Sequence, residues 1–453
     1  MRVLLIRPKP HKETIGLQNV MICEPLELEY ISSNIEALGH KCVIIDMIPE
    51  KRKIPYFLEH LRPDVVGITG YISHVNIMKD YARQVKRFDP TIVTIVGGVH
   101  AEVNPGDFAS KYIDYIIRAN GIRTFIDILN RMEGKETGEP ECVYHRDTPA
   151  PKKETVFPYL YPDRDKVKRY RHIYYYMFHR NCSLIKTSFG CPYNCKFCFC
   201  RQITDDQYFA RPLEDIINEL KQIRESEIYI VDDDFLVGRE RILKFCELLE
   251  KNRIHKKYLI YGRADFIAAN EDVIRRFKQV GLRAVIVGLE SCDSRQLDDY
   301  NKRTNVRINE KACAILKKYD VECYGTFILG LDWTGKDFFA LYRWIKKLGL
   351  VFVNLQPLTP LRGTELYEKY KDRFIIREDE YEKWDLAHLV VKPDRISVRM
   401  FYFYTILLYY LITVNPASGW YMIRKYGLHD TLKLSVGAFM VSLQYFRKLI
   451  EGR

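Results

Sequence analysis

The chain alternates short, wholly apolar runs with longer segments whose apolar positions recur every three to four residues. Val3-Leu4-Leu5-Ile6, Cys42-Val43-Ile44-Ile45-Asp46, Val65-Val66-Gly67-Ile68-Thr69, Ile92-Val93-Thr94-Ile95-Val96 and Tyr115-Ile116-Ile117 read as strands covered on both faces. Segments 26–38, 54–61, 77–88 and 122–132 carry the helical period. Five such units over 1–135 predict an α/β, Rossmann-like (flavodoxin-like) domain, whose ligands lie at the carboxyl ends of its strands. The loops at that end are 8–18, 70–74, 97–101 and 118–121, rich in glycine and small polar residues.

The alternation lapses over 136–180, where Pro140, Pro149, Pro151, Pro158 and Pro162 stand among dense charge, as in a linker. Its aromatic run (Tyr170, Tyr174, Tyr175, Tyr176, Phe178) either packs an interface or walls a site. Strands then recur at 182–188, 227–232, 258–262, 284–288, 322–329 and 352–357. Between them lie helices over 211–224, 239–252, 271–280, 309–319 and 335–348. Six strands within 181–365 predict a partial, open (β/α)6 barrel of the TIM type. Residues 366–453 form a small, mostly helical domain expected to set substrate choice. Its apolar run 400–414 is short for a membrane span. A buried helix is one reading of that run. The other is a lipid-facing surface, flanked by Lys392, Arg395, Arg399, Arg424 and Lys425.

Composition narrows the class. At 453 residues, 47% hydrophobic and 29% charged, the chain suits a soluble protein of two or three domains. A net charge of +12, concentrated in 151–180 and near the carboxyl end, reads either as a solvated basic surface or as affinity for an anionic cofactor, substrate or membrane surface. No nucleic-acid module is recognisable. The amino-terminal residues form no secretory signal, so the cytoplasm is the expected location, with membrane association as the addition. Of the twelve cysteines, Cys246, Cys313 and Cys323 fall on apolar phases, as small core residues do.

Three others converge. In Gly190-Cys191-Pro192-Tyr193-Asn194-Cys195-Lys196-Phe197-Cys198 the cysteines stand at CxxxCxxC spacing on a tight turn after a strand. Structural zinc takes four ligands, and no second CxxC or close histidine pair is present. A disulfide framework does not suit a chain of this length without a signal sequence. A [4Fe–4S] cluster on Cys191, Cys195 and Cys198, with one iron open, remains. Cys200, two residues further on, has no assigned role.

The motif and its neighbours resemble the radical S-adenosylmethionine (SAM) enzymes that carry an amino-terminal cobalamin-binding domain. In the core, at about 182–365, the resemblance runs through Asp232-Asp233-Asp234-Phe235, the Glu290 strand end, 325–332 and 356–364. In the first domain it rests on the turns Gly67-Ile68-Thr69-Gly70-Tyr71 and Val96-Gly97-Gly98-Val99-His100. It implies that Asp233, Arg263, Glu290, Gly325, Gln356 and Thr359 hold SAM. It also implies that Thr69, Gly70, Ser73, His74, Gly97, Gly98 and His100 line the cobalamin. The DxHxxG motif is absent, which implies a base-off cobalamin without a histidine ligand. Arg118-Ala119-Asn120-Gly121-Ile122 replaces the acidic loop of relatives.

The implied reaction is reductive cleavage of SAM to a 5′-deoxyadenosyl radical, followed by C-methylation of an unactivated carbon on a small or lipophilic metabolite. An external flavodoxin- or ferredoxin-type donor would supply the electron. A cyclase or ring-rearranging enzyme without net methyl transfer is the alternative, and a non-catalytic Fe–S electron carrier the alternative from another class. No catalytic residue is assigned.

Overall fold

The structure, a computed structural model, describes residues 1–452 apart from Leu17, Asn19, Glu136, Thr137, Asp147, Thr148, Ala150 and Asn415. Strands β1 (Arg2–Arg7), β2 (Lys41–Asp46), β3 (Val65–Thr69), β4 (Val93–Gly97) and β5 (Tyr115–Ile116) lie parallel in the order β2-β1-β3-β4-β5. This is the flavodoxin-like order, with its crevice where the order reverses between β1 and β3. Side chains alternate across the sheet. Leu4, Ile6, Val66 and Val96 pack under α2 (Ile54–Leu61) and α3 (Val75–Phe88). Val3, Leu5, Ile44 and Ile95 pack under α1 (Leu26–Glu36) and α4 (Gly121–Met132). Each such fully buried side chain contributes about 1.5–3 kcal/mol.

The second sheet is also parallel, in the order β6 (Ser183–Ile185), β7 (Glu227–Ile230), β8 (Lys257–Tyr261), β9 (Leu282–Glu290), β10 (Glu322–Leu329), β11 (Phe352–Pro357). Helices α5 (Leu213–Gln222), α6 (Arg239–Lys251), α7 (Glu271–Gln279), α8 (Val306–Lys318) and α9 (Gly335–Leu348) follow the strands in turn. Leu184, Tyr229, Leu259, Ile286, Tyr324 and Phe352 share one cluster on the concave side. The sheet stays open between β6 and β11. At the β11 edge, Tyr409 of α10 (Val398–Thr413) accepts the Leu355 N–H at 3.0 Å and donates to its carbonyl at 3.1 Å. The edge is thereby covered. Helices α11 (Pro416–Tyr426) and α12 (Leu428–Glu451) complete the chain. Among the described residues no single helix is long and apolar enough to cross a membrane.

Three expectations change. The described part of 136–180 is no mere linker. Arg164–Ile173 forms a 3-10 helix, and Val167, Tyr170 and Tyr174 join the core of the first sheet. A period of three hides this pattern from a search at the α-helical period. Tyr175–Tyr176 and His179–Arg180 pair with Met21–Ile22 in a small antiparallel sheet. The strand expected at 182–188 breaks after Ile185, and Ser188–Phe189 pairs antiparallel with Phe209–Ala210. The break follows from Asp232, whose buried carboxylate accepts the Thr187 N–H and both the Thr187 and Ser188 hydroxyls. Last, Ala264–Ala269 is a separate helix before α7.

The carboxyl ends of the two sheets face each other. The short helix Val99–Val103 after β4 contacts Cys200–Ile203 beyond the cysteine loop. A buried ion network crosses the seam. Glu24 takes Arg171 and the Leu184 N–H, while Arg164 and Arg211 meet Glu219 at 2.8 and 2.7 Å.

Candidate active site between the two sheets

Gly190 opens the cysteine loop with φ +76°. A Cβ there would lie 2.1 Å from the Gln207 carbonyl oxygen, so the turn requires glycine. The loop is pinned from segment 300–302: Lys196 N–H donates to the Tyr300 carbonyl at 3.0 Å, and Asn301 to that of Asn194 at 2.6 Å. Cys191, Cys195 and Cys198 are free and half-buried. Burial pushes the Cys191 thiol up to about 12. It raises Cys195 too, with Lys302 and Arg263 pulling the other way. A hydrogen bond from Cys200 holds Cys198 below the ordinary thiol range.

Among the described residues no three His, Cys, Asp or Glu side chains surround a point that one metal ion could fill. Three half-buried cysteines on one loop, with cations at hand, do suit a cluster in which three irons each take one thiolate and the fourth stays open.

Two cations stand beside the loop. Arg263 lies 3.7 Å over the Tyr193 ring, binds Asp265 through two 3.0 Å hydrogen bonds, donates to the Lys302 carbonyl at 2.6 Å and reaches to 4.0 Å from Cys195 Sγ. Lys302 pairs with Glu290 at 2.7 Å, and both are buried. Burial lowers the lysine, but Glu290 and Cys195 together outweigh it and its pKa is raised. Glu290 ends β9 at a bulge with φ +58°, and its carboxylate folds back over Gly288. A Cβ on Gly288 would stand 2.3 Å from Glu290 Oε1 and 2.6 Å from Lys302 Nζ, so glycine leaves room for the pair.

The three aspartates after β7 divide their work. Asp232 fastens the strand break, Asp233 sits 3.6 Å from Lys186, and Asp234 accepts from the Leu236 N–H at 3.1 Å. Burial pushes Asp234 up to about 7.

In the first domain, Gly98 has φ +103°, and a Cβ would stand 2.7 Å from Thr69 Oγ1 and 2.8 Å from the Gly70 carbonyl oxygen. The β3 and β4 turns, holding Thr69, Gly70, Gly97 and Gly98, therefore touch backbone to backbone. Ser73 and His74 follow in the Ile72–His74 turn. Burial, with Arg7 adding, lowers His74 to about 4, so it is neutral near pH 7. Glycines and a neutral imidazole suit a large ligand approaching main chain.

Three expected site residues lie elsewhere. His100 is enclosed by Phe108 and Tyr381 and bonded to Asp107 at 2.8 Å, and Asp107 also holds Arg362 at 2.7 Å. It joins the two halves instead of facing the cleft. Gly325 sits mid-strand with its Cβ direction toward Leu350, Phe327 and Leu289, away from the concave side. The strand's alternation gives the interior to Tyr324. Thr359 is buried and donates to the Pro357 carbonyl at 3.1 Å, holding its own turn. Gln356 is half-buried on β11.

Tyr176, from the aromatic run noted in the sequence, and residues unnoticed there wall the space between the sheets. Tyr176, Tyr229 and Tyr261 make a floor, with ring centroids 5.2 and 6.1 Å apart along the row. Glu27 and Tyr71 are exposed to solvent, yet surrounding protein desolvates both and raises their pKa values. Such side chains stand in a recess open to solvent. Glu102, pushed up by burial to about 7, stands at the same seam beside Lys153. A polar residue on an otherwise buried helix, such as Glu27 on α1, was the available signal.

A cysteine loop at the end of one parallel sheet and glycine turns at the end of another, facing across a recess, define a radical SAM enzyme with a B12-binding domain. Residues 185–345 match the radical SAM superfamily and 15–129 the B12 binding domain. The chain is such an enzyme, with a [4Fe–4S] cluster, SAM and cobalamin as its cofactors. It is 26% identical to the hopanoid C-3 methylase of Methylococcus capsulatus, over 89% of this chain and 78% of that one. It is 24% identical to the anaerobic magnesium-protoporphyrin IX monomethyl ester cyclase of Rubrivivax gelatinosus, over 88% and 74%. Among solved structures it shares its fold with the cobalamin-dependent SAM radical enzyme OxsB (TM-score 0.70, 16% identity, 96% of this chain and 72% of that one). The methyltransferase TsrM from Kitasatospora setae is similar as well (TM-score 0.68, 13% identity, 92% and 89%).

Proposed function

We propose that this enzyme methylates an unactivated carbon of a lipophilic metabolite. The observation that carries this reading is the row of Tyr176, Tyr229 and Tyr261 between the two cofactor-type strand ends. When bound, the cofactors supply a one-electron route to a carbon radical and a transferable methyl group. The chain supplies everything else. Cys191, Cys195 and Cys198 hold the cluster, and Lys302 and Arg263 offset its negative charge. Glu290 takes the ammonium of SAM and Lys302 its carboxylate, with Asp233 and Gln356 along the same strand ends. Thr69, Gly70, Ser73, His74, Gly97 and Gly98 bed the corrin.

A large apolar substrate is supported by the names of two relatives, a hopanoid methylase and a bacteriochlorophyllide methyltransferase. We place the protein in the cytoplasm, at a membrane surface through its carboxyl-terminal region, with an external flavodoxin- or ferredoxin-type donor. Free cysteines throughout the described chain support a reducing compartment. The cyclase relative favours a second reading, ring formation without methyl transfer.

The test is anaerobic protein, reconstituted with iron, sulfide and cobalamin, given reductant, methyl-labelled SAM and a lipid extract. Label in a lipid product together with 5′-deoxyadenosine is expected. Deoxyadenosine without label would leave the cyclase reading, and neither product would defeat both.

A further inference from the structure

The helix α12 carries a face that none of the described residues covers. On α12, Leu432, Val436, Phe439, Leu443, Phe446 and Ile450 are all exposed, Val436 and Phe439 at 61%. Their spacing of four, three, four, three, four keeps them in one stripe along the helix. The opposite side is used inside the fold. Leu434, Gly437 and Tyr445 are buried, and Tyr445 meets the rings of Tyr402 and Tyr409 on α10. An exposed apolar stripe of this length on a folded protein marks a contact surface.

Charge decides what the contact is. Over 398–451 two acidic residues, Asp430 and Glu451, stand against Arg399, Arg424, Lys425, Lys433, Arg447 and Lys448, and Glu451 pairs with Arg447 and Lys448. Asp430 is itself paired with Arg180. Lys433 and Arg447 are exposed on the same helix as the stripe, Lys433 lying 4.1 Å over the Tyr175 ring and Arg447 2.8 Å from Glu451. A second copy of the helix packed there would bring like charges together, where helix pairs place opposite ones. Aromatic and aliphatic side chains bordered by cations match an anionic bilayer surface, in which a helix lies flat.

We propose that α12 docks this protein in the plane of an anionic lipid bilayer, its stripe among the acyl chains and Lys433 and Arg447 at the headgroups. This gives the membrane contact of the proposed function a definite surface. It is read without substrate or turnover, so the two stand or fall separately.

The full chain, reconstituted with its cofactors, is sedimented with vesicles of phosphatidylcholine alone or with roughly a third phosphatidylglycerol. Binding about tenfold tighter to the anionic vesicles is expected, weakening as salt is raised. Val436→Glu with Phe439→Glu should abolish binding while leaving circular dichroism and 5′-deoxyadenosine formation unchanged. Lys433→Gln with Arg447→Gln keeps the apolar stripe and should remove only the preference for anionic lipid. That pair tests the idea even if the glutamate variant fails to fold. Three outcomes would overturn it: no binding to anionic vesicles, binding indifferent to both variants, or a solution dimer that the glutamate pair dissolves.

Discussion

Histidine 74 shows how one side chain reports the cleft. Unfolded, an imidazole takes its proton near 6.5; in the fold His74 takes it only near 4. Between those values the unfolded chain holds the extra proton, so stability falls as pH drops from 6.5 toward 4 and returns as pH rises. For a partly exposed group the loss is roughly 1–2 kcal/mol. His74→Gln should flatten that limb, measured as the urea midpoint against pH; an unchanged slope would refute the assignment. The sequence marked His74 and His100 alike as loop histidines. What separates them is a partner: Asp107 and, through it, Arg362, 255 residues away, enclose His100. Lys302 was missed for the same reason, since its partner Glu290 belongs to a different element.

At the scale of elements, the strands were readable because parallel strands buried on both faces are continuous apolar runs. The cysteine loop was readable because its ligands are adjacent in sequence. Less visible was the strand break at Thr187, which depends on a carboxylate from β7's end. Gly325 was misread because a motif gives neighbours but not the side to which a strand residue points. The loop's own geometry makes a sharp prediction. Gly190→Ala forces a Cβ against the Gln207 carbonyl, and the strain of about 1–3 kcal/mol should shift the loop while the barrel persists. Iron content after reconstitution should fall below half, with circular dichroism unchanged. Full iron loading would show that the turn tolerates a side chain.

For the whole molecule, the seam between the sheets is polar and buried, which no periodicity announces. Glu24, Arg171 and the Leu184 N–H form one knot across it. Glu24→Ala strands a buried cation and an amide, at a cost of about 3–5 kcal/mol. Thermal unfolding should then split, the first sheet parting before the second. A single transition at the parent temperature would mean that apolar contacts alone join the halves. The segment 136–180 belongs to this level too. Its prolines are those of a linker, yet Tyr174 reaches Asp46 at 3.1 Å and closes the first core.

The loop after β1 carries one more consequence. Thr14 bonds the Glu382 carbonyl, Ile15 N–H donates to Asp385 at 2.7 Å, and Glu13 meets Lys448 at 3.5 Å. These partners are 368, 370 and 435 residues apart. A ribosome adding about 5–20 residues per second makes the first of each pair roughly 20 to 90 s before the second. The front of the cleft therefore stays unfastened throughout translation. The loop after β1 gains its clasp only once the carboxyl-terminal segment has been made.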